Sequence, residues 1–353
     1  MRIKQIRIIK VLIFICCFLL LFFYVVNPIL KFKYSDGIQP WTEFYKMEED
    51  SIDVLLFGSS HMYATINPAI LWEDAGIPSF LIGGSGKPMW NTYYDIKECL
   101  KYQSPELIII EPYSTLFDWE YIQYSGIIKN TFGLKFSKNK IDSIKASAQE
   151  EYWQDLILGF PAYHGRYGEL NKNDFSIFTD RDDVYMNGYI SSAYYTKQVP
   201  IDVSGVYEKN ELPEKHMEYL IKIIDLLNEN DIELMIIVSP YITSARDQAI
   251  FNMIEKIALD NNVNFVNYNL LYDELDLDFN FDMMEKEHLT YTGGAKVSHN
   301  LADILKNEYA LENKKDFNDY EKWNEWAQEV FDIIQKKYVE KEIDDLRKKT
   351  AED

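Results

Sequence analysis

Two short motifs carry groups that can do acyl chemistry. In Phe57-Gly58-Ser59-Ser60-His61 a serine leaves an apolar run through a glycine. A serine hydroxyl at such a turn can attack a carbonyl, but at neutral pH it is a weak nucleophile and needs a base within hydrogen-bond reach. The candidate base is His288, in Glu285-Lys286-Glu287-His288-Leu289-Thr290-Tyr291-Thr292-Gly293-Gly294-Ala295. Glu285, three residues earlier, can hold one ring nitrogen and fix the tautomer that leaves the other free to take a proton. Taken singly, the motifs read more simply as a turn serine and a capping histidine.

These groups need elements to bring them together. Residues 51–57 (SIDVLLF) form an apolar run ending at Gly58, as expected of a buried parallel strand. Further strands are expected over 79–82, 106–111, 233–239 and 263–268, and helices over 67–74, 90–100, 214–228 and 247–260, with another after Gly293-Gly294. Strands alternating with helices predict an α/β fold with a parallel sheet covered on both faces. Sites in such sheets gather beyond the carboxyl ends of the strands, where Ser60 falls. Residues 114–213 break the rhythm, are rich in Tyr and Asp, and read as an insertion, either a lid or binding surface or a decoration. Residues 311–353 hold a charged helix whose stripe Trp323, Trp326/Ala327, Val330, Ile334, Tyr338 is expected to dock on the body.

Charge divides the chain in two. Residues 1–33 carry six cations and no acid, which leaves 30 cations against 57 anions, a net charge of −27, on the remainder. Residues 11–30 are uncharged, about the length that crosses a bilayer. Four cations precede this run and two follow it, which predicts a single-pass cell-membrane anchor with a cytoplasmic N-terminus and an extracellular body. No small-residue cleavage site follows the run, against a removed signal peptide. Cys99 is the only cysteine beyond the anchor, so no internal disulfide is expected there. The acidic body argues against nucleic-acid binding. The five histidines are scattered without metal-ligand spacing, and Gly83-Gly84-Ser85-Gly86-Lys87 lacks the phosphate-loop pattern, so neither metal nor cofactor is expected.

The two motifs occur in the order of a known pattern, and the chain resembles the SGNH/GDSL hydrolase superfamily. Gly58-Ser59-Ser60 is similar to its first block, G-D-S, with Ser59 in place of Asp; Leu81-Ile82-Gly83-Gly84-Ser85-Gly86 is similar to the second; Glu285-x-x-His288 is similar to the last, with Glu in place of Asp. The resemblance covers about residues 50–113 and 214–306. It implies a three-layer flavodoxin-like fold, with the domain over 34–310, Ser60 as nucleophile, His288 as base, Glu285 as its orienter, and the loop at Ser85 and Gly86 serving the oxyanion. The anchor, the G-S-S-H turn and Phe160-Pro161-Ala162-Tyr163-His164-Gly165-Arg166-Tyr167 resemble the exported DltD-like and polysaccharide O-acyltransferase-associated branch of Gram-positive bacteria.

One departure matters. The third block brings an Asn after strand three to the oxyanion hole, whereas here that strand runs into Ile110-Glu111-Pro112-Tyr113-Ser114. Losing one such donor costs about 100- to 1000-fold in rate. Arg166 and His164 are expected either to supply it by folding over the cleft or to pair with surface carboxylates. Glu111 is expected to point elsewhere or to pair with a cation. The resemblance implies O-acyl, chiefly acetyl, transfer to a cell-wall or exopolysaccharide acceptor, with a membrane-bound O-acyltransferase as partner. A carbohydrate esterase and a non-catalytic assembly protein are the alternatives. Tyrosines of the insertion (Tyr163, Tyr167, Tyr185, Tyr189, Tyr194, Tyr195, Tyr207) suit either a sugar-facing surface or ordinary packing.

Overall fold

Short strands of four to six residues, mainly apolar in all but one edge strand, make a parallel five-stranded sheet in a computed structural model that describes residues 2–172, 174–175 and 184–352. The strands are β1 Val54–Gly58, β2 Ser79–Gly83, β3 Leu107–Ile110, β4 Glu233–Val238 and β5 Asn264–Asn267. Their order is β2-β1-β3-β4-β5, the doubly wound arrangement in which the connections diverge on either side of β1 and β3. The register pairs Gly58 with Gly83 and Phe57 with Ile110, so the carboxyl ends of the three strands nearest that divide finish side by side.

Alternate residues of each strand enter two cores, which gives the three layers. Leu55, Phe57, Ile82, Ile108 and Ile110 pack with Trp90, Ile96, Leu220, Ile223, Phe251 and Ile254 of the helices Met89–Cys99, Glu214–Glu229 and Ala245–Asp260. Val54, Leu56, Leu81, Ile109 and Ile237 pack on the other face with Leu71, Val297, Leu301 and Leu305 of the helices Pro68–Ala75 and Tyr291–Glu308. All ten of these strand side chains are fully buried, as a parallel sheet covered on both faces requires.

Two expectations are corrected. The helix placed after Gly293-Gly294 begins earlier, at Tyr291, with Thr290 as its N-cap, and both glycines lie in its first turn. They allow close packing: a Cβ at Gly293 would stand 2.4 Å from the Asp282 carbonyl oxygen, and one at Gly294 2.9 Å from that of Thr65. The insertion is less irregular than its composition implies, with helices Tyr124–Thr131, Lys138–Ser147 and Glu150–Leu158. Their few apolar residues sit among polar ones, which hides a 3.6-residue period at this length. Residues 173 and 176–183 of the insertion lie outside the described residues.

The chain forms two compact units, Met1–Tyr34 with Gln149–Asp183, and Ser35–Ala148 with Val184–Asp353. The first contains a helix over residues 4–30 that is long and apolar enough to cross a membrane, by length and composition. The second contains the sheet and the C-terminal helix Glu321–Glu352, whose Trp323, Ala327 and Val330 pack on Ala69 and Trp72. Asn324 Oδ1 accepts from Trp72 Nε1 at 3.0 Å and fixes the register of that contact.

Candidate active site

The site begins where β1 stops. A Cβ at Gly58 would meet Cβ atoms of Met62 and Glu111 at 2.7 and 2.8 Å, so only glycine lets the chain turn this close to the end of β3. Ser59 caps the next helix, Ser60–Thr65, accepting from the His61 N–H at 3.2 Å. Its own hydroxyl donates to Glu111 Oε2 at 2.8 Å, and its N–H reaches the same oxygen at 3.4 Å. Glu111 Oε1 accepts from the Tyr113 N–H at 2.6 Å. Glu111 takes no cation among the described residues; with both oxygens engaged by Ser59 and Tyr113, and not by the Ser60 or Gly86 N–H, it ties the serine turn to the end of β3. Burial pushes its carboxyl up to about 7, against the pull of the Ser59 and Tyr113 hydrogen bonds.

Ser60 is the first residue of this helix and is half-buried. Among the described residues, neither its N–H nor that of Gly86 donates to a protein group. Gly86 has a φ of 57°, a left-handed conformation that suits glycine. Just before it, Ser85 donates to Asp36 Oδ2 through its hydroxyl at 2.5 Å and its N–H at 3.0 Å. The Lys129 ammonium reaches the same oxygen at 3.1 Å. Asn130 Nδ2 donates to the Ser85 carbonyl at 3.3 Å, so an asparagine does stand behind this loop, supplied by the helix Tyr124–Thr131 and not by the end of β3. The Tyr63 hydroxyl lies 3.2 Å from Ser85 Oγ and within reach of the Ser60 side chain.

His288 sits in a hairpin closed by the Met283–Leu289 bridge, one residue before the buried Leu289. Its Nδ1 is hydrogen-bonded to Glu285 Oε1, whose partner oxygen accepts from the Glu287 N–H at 2.8 Å. Its Nε2 is buried and, among the described residues, has no partner, as is also true of His61 Nε2. The ring lies 5.2 Å from that of His61, which is stacked on Tyr113 at 3.5 Å and meets Tyr241 edge-on at 5.0 Å. Burial, and the neighbouring His288, hold His61 well below the ordinary histidine range, so it is neutral. The two motifs, more than 220 residues apart, are thus brought to one place through His61, the residue next to Ser60. No hydrogen bond joins Ser60 to His288 Nε2.

The other two predicted site residues belong to the first unit. Arg166 Nη1 donates to the Leu30 and Lys31 carbonyls at 2.8 and 2.7 Å, and Nη2 to Asp174 Oδ1 at 2.9 Å. It caps the last carbonyls of the N-terminal helix, which have no partners within a helix. His164 Nδ1 meets the Pro161 carbonyl at 2.8 Å and the ring is exposed. Ligand atoms of Glu285, Glu287 and His288 lie within 4.8 Å of one another; the Glu285–His288 hydrogen bond accounts for this grouping without a cation. Sequence reasoning missed Asp36, Tyr63 and the Ser59–Glu111 link. Only the position of Tyr63, one helical turn beyond the serine, could have pointed to it.

No protein-family model and no curated protein matches the chain. Solved structures do. A putative acylhydrolase from Bacteroides fragilis is 12% identical, with 79% of this chain and 99% of that one covered and a TM-score of 0.37. A GDSL-like lipase from Bacteroides thetaiotaomicron is 13% identical, with coverages of 79% and 100% and a TM-score of 0.38. A gut microbial diltiazem-metabolizing enzyme is 14% identical, with 76% of this chain and 49% of that one covered and a TM-score of 0.26. Likeness at this level fixes no chemistry, which has to be argued from the site itself.

Proposed function

We propose that this chain is a membrane-anchored SGNH-type serine enzyme that transfers an acyl group, acetyl by preference, to a hydroxyl of an extracytoplasmic polysaccharide. The observation that carries the reading is His288: its Nδ1 is held by a carboxylate while its Nε2 is buried, unpartnered and next to the residue that follows Ser60. The neighbouring His61 also buries an unpartnered Nε2, so the carboxylate on Nδ1 is what marks His288 as the base. In this reading Ser60 Oγ attacks the acyl carbonyl carbon as its proton passes to His288 Nε2, and Glu285 steadies the imidazolium. The N–H groups of Ser60 and Gly86, which have no protein acceptor, receive the oxyanion. The leaving group takes the proton from Nε2, and an ester on Ser60 remains. A sugar hydroxyl then attacks that ester, gives its proton to Nε2, and leaves with the acyl group as Ser60 recovers the proton.

The N-terminal helix supports transfer over hydrolysis, because it would hold the site beside a membrane-borne acyl donor such as a membrane-bound O-acyltransferase could supply. The acidic body favours a neutral polysaccharide as acceptor over a polyanionic one. The same three side chains serve a carbohydrate esterase when water is the acceptor. The test is a pair of assays on the full-length chain. A serine-directed phosphonate should label wild type and not Ser60→Ala, and labelling of that variant sinks the serine mechanism. Incubation with an acetyl donor and a neutral glycan should give acetylated glycan; release of free acetate alone assigns the esterase.

A further inference from the structure

We propose that the Tyr63 hydroxyl is the third oxyanion donor of this site, in place of the asparagine missing after β3. The proposal rests on the reading of Ser60 as the acyl-accepting nucleophile. Tyr63 follows Ser60 by three residues in the helix Ser60–Thr65, so the two side chains share a face. Its ring lies over Gly83, where a Cβ would meet Tyr63 Cδ1 at 3.0 Å and Cβ at 3.1 Å. Its hydroxyl stands 3.2 Å from Ser85 Oγ, in the residue before Gly86. It therefore lies between the side chain that would carry the tetrahedral carbon and the backbone that would face its oxygen.

The direction of the hydrogen bonds says what this hydroxyl can do. Burial works to raise the Asp36 carboxyl, but hydrogen bonds from Ser85 and the Lys129 ammonium prevail and hold it below its ordinary value, so it is ionised and only accepts. Ser85 has one hydroxyl proton and donates it to Asp36 at 2.5 Å, hence the Tyr63 hydroxyl donates to Ser85. Burial pushes the Tyr63 phenol up, so it keeps its proton and acts as a donor, never as a base. When Ser60 attacks, its proton goes to His288 and a full negative charge appears beside Tyr63. The charged oxygen is a stronger acceptor than neutral Ser85 Oγ, so the phenol proton turns to it. Ser85 Oγ can then accept from Lys129 Nζ, 3.5 Å away.

Tyr63→Phe removes this donor alone, and the assay is hydrolysis of p-nitrophenyl acetate by the full-length chain, with Ser60→Ala alongside. Tyr63→Phe should lower kcat about 100- to 1000-fold while KM stays within about threefold. Activity remaining in Ser60→Ala overturns the serine reading on which the proposal rests. A dead Ser60→Ala with Tyr63→Phe within about threefold of wild type overturns the Tyr63 assignment alone. A hydroxyl that only clamped the resting serine would, on removal, leave kcat unchanged or raise it. If circular dichroism shows Tyr63→Phe misfolded, 3-fluorotyrosine placed at position 63 makes the phenol more acidic at nearly the same size. A change in kcat of about twofold or more then supports donation to the oxyanion, and an unchanged kcat rejects it.

Discussion

His288 and His164 are the same side chain in opposite situations. In the 283–289 hairpin, beside His61, His288 has one nitrogen fixed by Glu285 and the other buried without a partner among the described residues. In the turn after Phe160, His164 is exposed and leans on the Pro161 carbonyl, while its neighbour Arg166 closes the Leu30 and Lys31 carbonyls and an ion pair with Asp174. Both places carry residue types that catalysis uses. The difference lies in what their polar atoms meet. Arg166 answers backbone groups that a helix end leaves open, so its role is met within the fold. Among the described residues His288 Nε2 has no partner, and with Nδ1 held by Glu285 it is placed to take a proton from an incoming group. Residue type therefore nominates a site, and the pairing of an unmet buried nitrogen with a carboxylate on the other nitrogen selects His288, since His61 and His216 also bury ring nitrogens without partners.

The strongest way to break this contrast is to remove the groups on the unmet side. Ser60→Ala should reduce turnover of p-nitrophenyl acetate by up to about 10⁶-fold, as loss of a triad member does when the rest of the site cannot compensate. A smaller loss, about 10⁴-fold, is expected for Glu285→Gln, which keeps shape but presents an amide to Nδ1 and can reverse the tautomer of His288. Equal turnover in Glu285→Gln and wild type means that the Glu285–His288 bond is a loop contact, and the contrast with His164 then disappears.

How much of this could be read in advance differs between the two places. Four of the five strands were legible as short, mainly apolar runs ended by a turn or a polar residue, with β5 (Asn264–Asn267) the polar exception, and the sheet that follows from them puts Ser60 at a carboxyl end. The pairing of Glu285 with His288 was legible because it is local, three residues apart. Nothing in the spacing links Asp36 to Ser85, 49 positions away, or Ser59 to Glu111, 52 away. Those bonds exist only once β1, β2 and β3 lie side by side. Likewise the sequence leaves Arg166 open between serving the oxyanion and pairing with a carboxylate, because its partners besides Asp174 are backbone carbonyls, which every residue has and no sequence pattern marks. The tyrosines divide in the same way: Tyr189 is buried against Tyr291, whereas Tyr167 and Tyr207 are exposed at 77% and 82%.

Glu111 supplies a sharper test of the strand-end assembly through stability. Its native carboxyl titrates at about 7, above the ordinary 4.5, so between these values the native state holds a proton that the unfolded chain has lost. Stability must then fall as pH rises from about 4.5 to 7, by at most about 3 kcal/mol for a shift of this size. Glu111→Gln removes that slope. Urea melts at pH 5 and pH 7.5 should show the variant gaining on wild type at the higher pH. A difference that stays constant across this range shows that Glu111 is not held as a buried, Ser59-bonded carboxyl.

The smallest catalytic effect is expected on the other side of the comparison. Arg166→Ala deletes three charge-assisted hydrogen bonds, to Leu30, Lys31 and Asp174, each of the kind that contributes about 1.5–3 kcal/mol where it is sheltered from water. Its cost should fall on the first unit: residues 149–172 should be cleaved about tenfold faster in limited proteolysis of the detergent-solubilised chain. Turnover of p-nitrophenyl acetate should stay within about twofold of wild type, because every group assigned to the chemistry lies in the second unit, at the ends of β1 and β2 and in the 285–288 hairpin. If instead Arg166→Ala lowers kcat about 100-fold with unchanged proteolysis, the guanidinium serves the oxyanion and not the helix end. The rule drawn from His288 and His164 would then have to give way, since a fully bonded side chain would have proved catalytic.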